Sequence, residues 1–214
     1  MGQRRNRGKP LVKIRLYVEG GPQGVDPESL RRFRAGFKQY FQRLDPKLKS
    51  LDVIAKGSTE RTIKNYLEGV RRHTAEGVVA LLVDSDTPVT VSSPAQHLTS
   101  KLDAAKVPND ARANIFLMVQ CMEAWLITDV AALEKCYGAK ARTMKLPANP
   151  DVEAIPKKDL FVALDSLAKD TPIGRYHKIN HAARILAVLR PELVAKRSKH
   201  AQKLHEFLRH SLVA

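Results

Sequence analysis

The stretch Val78-Val79-Ala80-Leu81-Leu82-Val83 is apolar at every position and breaks at once into Asp84-Ser85-Asp86. A strand with one wet face alternates apolar with polar residues. An unbroken apolar run suits a strand covered on both faces, as in a parallel sheet with helices on either side. The surrounding chain predicts the same architecture. Residues 11–18 read as a partly alternating strand ending in Glu19-Gly20-Gly21, and residues 51–55 as a short strand stopped at Gly57. Between them Leu30, Phe33, Phe37, Tyr40, Phe41 and Leu44 recur at helical spacing, with Arg31, Arg32, Arg34, Lys38 and Arg43 filling the other side of a helix over 27–44. A second helix is predicted over 59–73, capped by Ser58 or Thr59, with another around 94–105 and a strand over 114–119. Strands alternating with helices imply right-handed crossovers and an α/β fold, a mostly parallel sheet of about four strands flanked by helices. From residue 121 the pattern turns helical, over 121–136, 157–168, 178–189 and 199–212, punctuated by Pro147, Pro150, Pro156, Pro172 and Pro191. The expected organisation is a basic disordered arm at 1–10, an α/β core at 11–136 and a helical C-terminal extension packed on the core at 137–214.

Charge narrows the partners. The 37 Lys and Arg residues against 22 Asp and Glu leave a net +15. Such a surface concentrates polyanions, so nucleic acid is expected ahead of generic solubility charge. No membrane association is expected: the longest apolar run, 115–127, is broken by Gln120 and Glu123 and falls short of the roughly 20 residues a bilayer span needs. Cys121 and Cys136 make neither a metal-type pair nor a disulfide framework, which fits a reducing cytoplasm, and no signal-type apolar stretch follows the basic N-terminus. Oligomeric state is left open.

The acids carry the chemistry. In an open parallel sheet, ligands gather outside the carboxyl ends of the strands. Glu19 follows the first strand, and Asp84 and Asp86 follow the third. Residues two apart in extended backbone point the same way, so Asp84 and Asp86 are expected to face a common rim with Glu19. Carboxylates a few ångströms apart repel by roughly 1 kcal/mol per pair in water and about 4 kcal/mol at an effective dielectric near 20. A divalent ion offsets that repulsion, and Mg²⁺ takes one or two carboxylates together with phosphate and water. Each acid alone also has a plainer reading, as a helix cap or turn residue.

These residues also carry a resemblance. Val18-Glu19-Gly20 closing one strand and Val83-Asp84-Ser85-Asp86 closing a later one resemble the Toprim catalytic core of topoisomerases, bacterial primases and overcoming-lysogenization-defect nucleases. More closely, the chain resembles a bacterial family with a Toprim-like core, domain of unknown function 4276. The resemblance runs through Leu82-Val83-Asp84-Ser85, Met118-Val119-Gln120-Cys121-Met122-Glu123-Ala124-Trp125, Leu146-Pro147-Ala148-Asn149-Pro150, Ile155-Pro156-Lys157-Lys158 and Tyr176-His177-Lys178. It implies a Toprim α/β sheet with a helical C-terminal part, Glu19, Asp84 and Asp86 as acid/base groups and metal ligands, and a phage-defence or mobile-element role beside an ATPase. The chain departs from the pattern in Gly21-Pro22-Gln23-Gly24 after the first strand and in Thr87-Pro88 after the aspartate pair.

Several further residues have a functional and a structural reading. Glu123, in an apolar stretch, is either a fourth carboxylate for a second metal or the partner of a buried arginine or backbone group. Lys56, ending the second strand, is a candidate to stabilise phosphate charge. Arg31, Arg34, Lys38, Lys157, Lys158, Lys178, Arg197 and Lys199 are candidates to track a nucleic-acid backbone, or are simply solvated. His177 and His181 share a helical spacing but lack a third ligand, and read as surface histidines. Trp125 reads as core. No Gly-x-x-x-x-Gly-Lys-Ser/Thr loop is present, so nucleotide hydrolysis would fall to a partner. The expected function is a Mg²⁺- or Mn²⁺-dependent nuclease with Glu19, Asp84, Asp86 and Lys56 catalytic. The alternative is a non-catalytic nucleic-acid-binding or effector subunit of an ATPase complex.

Overall fold

The computed structural model describes residues 12–20, 24–73, 76–103, 107–138, 141 and 146–213; the expected basic arm lies outside them. Strands β1 (Lys13–Val18), β2 (Asp52–Ala55), β3 (Gly77–Asp84) and β4 (Ile115–Met118) form one parallel sheet in the order β2-β1-β3-β4. The α/β fold expected from the sequence is the fold adopted. Helix α1 (Pro27–Leu44) joins β1 to β2, and α2 (Thr59–His73) joins β2 to β3.

Alternation along the strands explains the unbroken apolar run. Leu16, Val18, Ala80 and Leu82 enter a cluster with α1 and the C-terminal helices, while Tyr17, Val79, Leu81 and Val83 enter a second one with α2 and residues 95–111. Both faces of β3 are covered from Val79 to Val83, so none of these five positions faces water. On the first face, α1 packs against α8 (Lys178–Leu186) so closely that a Cβ on Gly36 would lie 2.5 Å from the Ala183 carbonyl oxygen. Glycine lets the two backbones touch, and that contact ties the C-terminal half to the sheet.

Two sequence expectations are corrected. The helix predicted around 94–105 is helical only in α3 (Pro94–His97), and a second short helix, α4 (Asn109–Arg112), leads into β4. The helix predicted over 121–136 is two pieces, α5 (Glu123–Leu126) and α6 (Val130–Tyr137). Asp129 makes the break: buried, it accepts from the Ala132 N–H as the cap of α6 and is gripped by the Arg190 guanidinium at 2.7 and 2.8 Å. After α7 (Lys157–Ala168) and α8, Pro191 opens α9 (Pro191–Arg197), at a first-turn position that needs no N–H. Ser198 then caps α10 (Lys199–His210). Among the described residues no helix is long and apolar enough to cross a membrane.

Trp125 is core as expected, 1% exposed and stacked on Tyr40. Beside them His205 Nε2 lies 2.8 Å from the Tyr40 hydroxyl, and burial pushes the imidazole down to about 4. The unfolded chain therefore takes up a proton below about pH 6.5 that the native state refuses, so stability falls as pH drops from about 6.5 toward 4. Urea titrations should show native protein losing its advantage over His205→Gln by about 2 kcal/mol between pH 7.5 and 5. A gap that stays constant with pH would contradict the assignment.

Candidate acidic site at the carboxyl rim of the sheet

The strand order places β1 beside β3, with the chain turning one way to β2 and the other way to β3. The gap between the carboxyl ends of β1 and β3 is thus the topological switch point, where an open α/β sheet leaves a crevice. Glu19 and Asp84 stand at its two sides. The Glu19 N–H donates to the Leu82 carbonyl at 3.2 Å, so the strand pairing itself fixes where Glu19 begins. Gly20 then passes so close to the end of β2 that a Cβ there would sit 3.0 Å from the Lys56 backbone nitrogen.

Glu19 is half-buried. Its Oε2 accepts from the Thr59 hydroxyl at 2.9 Å and faces the Asp84 N–H at 3.4 Å. Burial first, and the Asp84 charge second, push its carboxyl up to about 7. Asp84 is 1% exposed. Its Oδ1 accepts from the Met122 N–H at 2.9 Å and its Oδ2 from Lys178 Nζ at 2.8 Å. Burial works against the Lys178 charge, but Asp84 and Glu123 outweigh it and hold the ammonium above the ordinary lysine value.

Asp86 differs from its sequence expectation. The extended backbone ends at Asp84, and Asp86 takes a left-handed conformation with φ +62°, so the alternation that would aim it with Asp84 does not extend to it. The loop backbone is stitched down: the Asp86 N–H donates to the Gln120 carbonyl, and the Ser85 hydroxyl bridges the Thr87 carbonyl and the Gln120 N–H. The Asp86 carboxylate meets Lys101 Nζ at 2.8 Å through Oδ2 and Lys157 Nζ through Oδ1. Burial resists its charge, but the two ammoniums overcome that and hold its carboxyl below the usual range.

Glu123 is fully buried. Its Oε1 accepts from the Tyr176 hydroxyl at 3.0 Å, Oε2 has no hydrogen-bond partner among the described residues, and the Cys121 thiol lies beside the carboxyl. Burial raises its carboxyl, the Lys178 charge opposes that, and Asp84 adds to the rise. Among the described residues no arginine pairs with it.

The remaining candidates are scattered. Lys56 is exposed and lines a separate cleft of about 280 Å³ with Arg34, Asn65 and Arg72. Arg31 is exposed and paired with Glu28 at 2.7 Å. Lys38, Lys158 and Lys199 are exposed. Arg197 donates to the Ile127 and Asn149 carbonyls and so binds α9 to the loop before α6 and to the segment before α7. His181 Nδ1 faces the His177 N–H and the Tyr137 hydroxyl. Sequence reasoning missed Lys101 and the role of Thr59 as a donor to Glu19. Thr59 carried a signal, being the first residue of α2 at the same sheet edge; Lys101 carried none.

Oxygen donors of Glu19, Asp84 and Glu123 suit a hard divalent ion. A carboxylate with one bond per oxygen retains acceptor capacity, so the Lys178 pairing does not exhaust Asp84. Among the described residues, no three His, Cys, Asp or Glu side chains stand close enough to cage an ion by themselves. Any ion would complete its coordination from phosphate and water, the usual habit of Mg²⁺.

No curated protein and no solved structure matches the chain. One family profile does, over residues 27–209, a match that begins after Glu19 and takes in Asp84, Asp86, Glu123 and the three lysines. The chain belongs to that family, described as a domain of unknown function, DUF4276.

Proposed function

We propose that this chain is a Toprim-type, divalent-metal-dependent nuclease that hydrolyses phosphodiester bonds of DNA or RNA. The observation that carries the reading is the convergence at the sheet's switch point of Glu19 and Asp84 with Lys178, and of Lys101 and Lys157 beside them, acids and cations drawn from five separate segments. Glu19 and Asp84 would hold Mg²⁺ or Mn²⁺, with phosphate and water as the remaining donors. The ion when bound supplies Lewis-acid polarisation of the phosphodiester. Glu19 takes the proton of the attacking water, a role that suits a carboxylate half-buried at the crevice and already oriented by Thr59. The lysine ammoniums offset the charge that grows on the phosphate oxygens. Exposed Lys38, Lys158 and Lys199 track the backbone without reading its sequence. The resemblance to Toprim nucleases adds a phage-defence or mobile-element setting and an ATPase partner.

A second reading rests on a specific observation: Asp84 and Asp86 already have lysine counter-charges. On that reading the acids are structural, and the chain is a nucleic-acid-binding or effector subunit of an ATPase complex. Purified protein incubated with plasmid, labelled single-stranded DNA and RNA separates the two. Cleavage should appear with Mg²⁺ or Mn²⁺ and vanish in EDTA. No cleavage of any substrate with either ion, with the ATPase present, transfers the case to the second reading.

A further inference from the structure

Asp86 and its two lysines are built differently from the neighbouring acid–lysine pair. The Lys178–Asp84 bridge is closed off from solvent, with the Asp84 side chain only 2% exposed. The side chains of Asp86, Lys101 and Lys157 are 38%, 30% and 36% exposed, so all three open to water from the same spot. They come from unconnected segments: the loop after β3, the turn after α3 and the first residue of α7. One carboxylate thus holds two ammoniums, one on each oxygen, at the N-terminus of a twelve-residue helix.

Two converging lysines at a helix N-terminus are the environment a phosphate group seeks. A phosphate presents two non-bridging oxygens with nearly the bite of a carboxylate. The Asp86 backbone is anchored to Gln120 on its N–H, and its neighbour Ser85 is held at both ends by Thr87 and Gln120. Among the described residues only the two lysines hold the Asp86 carboxylate itself, so side-chain rotation releases both ammoniums. Half-exposed ion pairs of this kind are weak and exchange readily.

We propose that Asp86 is an internal stand-in for a substrate phosphate, occupying a Lys101–Lys157 phosphate subsite that a nucleic-acid phosphodiester takes over when it binds. The proposal rests on the nuclease reading for the identity of the polyanion, and it replaces the metal-ligand role expected for Asp86. Substrate binding then has to displace Asp86, which lowers affinity for isolated phosphates and favours a polyanion held at several points. Removing the internal anion frees the subsite.

Fluorescence anisotropy of a labelled single-stranded oligonucleotide, with the full chain in EDTA, tests this without metal or cleavage. Failure of the nuclease reading therefore leaves the result interpretable, and the reverse also holds. Asp86→Asn should bind about five- to tenfold tighter than the native chain, the factor expected when a self-occupied site becomes fully competent. Asp159→Asn, exposed two residues from Lys157 with the same change of charge, controls for the general field and should gain less than about twofold. Adding Lys101→Ala and Lys157→Ala to Asp86→Asn should return affinity to the native value or below. Inorganic phosphate should compete more effectively against Asp86→Asn than against native protein, whereas competition by oligonucleotide alone would assign the gain to the polymer backbone elsewhere and overturn the subsite. Binding by Asp86→Asn no tighter than by Asp159→Asn would overturn it as well.

Discussion

Glu19→Gln is expected to lose about 10²- to 10⁴-fold of metal-dependent cleavage while keeping the fold, the range a positioned general base contributes. The substitution is nearly isosteric. The glutamine carbonyl still accepts from the Thr59 hydroxyl and still faces the Asp84 N–H, so the junction between β1, α2 and β3 keeps its bonds. What goes is the ability to take a proton and one negative charge beside Asp84. Loss of that repulsion makes the variant at least as stable as the native chain, so a lowered melting temperature would point to misplacement of Glu19. The measurement is cleavage of labelled oligonucleotide at saturating Mg²⁺ or Mn²⁺, paired with thermal unfolding. Cleavage within a few-fold of native would remove Glu19 from the mechanism and take the nuclease reading with it.

Lys178→Met should cost about 3–5 kcal/mol of stability, the penalty for stranding a buried charge. Among the described residues Lys178 is the only cation in hydrogen-bond contact with Asp84, whose side chain is 2% exposed, and it is also the charge that opposes the rise of the Glu123 carboxyl. Methionine keeps the volume and removes the ammonium, leaving two buried carboxylates to face each other without a counter-charge. For a chain of 214 residues this amounts to a melting-temperature drop of roughly 10 °C. Adding Asp84→Asn should restore much of the loss, because the amide carries no charge to strand and can still accept from the Met122 N–H. Urea denaturation of native, single and double variants in EDTA gives the coupling directly. A single-variant cost under about 1 kcal/mol would mean that the acids are neutralised by other means, such as a shared proton.

Much of the molecule was legible from local pattern. The unbroken run at 78–83 announced a strand covered on both faces, and the 27–44 periodicity announced α1 with its apolar side inward, because hydrophobic period reports local geometry directly. Glu19 and Asp84 were legible as rim residues for the same reason: each directly follows a parallel strand, and strand polarity alone assigns it to the carboxyl edge. Where side chains from distant segments intervene, local pattern failed. The 121–136 stretch keeps its helical periodicity, yet Asp129 breaks it in order to meet Arg190, 61 residues away. Asp86 follows the apparent alternation, yet its left-handed backbone and two lysines take it elsewhere.

By itself, then, the sequence determined the kinds of element, the basic outer surface and the edge of the sheet on which the acids lie, since these follow from short-range spacing and composition. Only the tertiary structure decided that β1 lies beside β3, which is what brings Glu19 to Asp84. It also decided which cations reach the acids: Lys101 arrives from 15 residues beyond Asp86, Lys157 from 71, and Lys178 from 94 beyond Asp84. Such meetings depend on how helices pack across a sheet, a matter of shape and burial over the whole chain that no local spacing encodes.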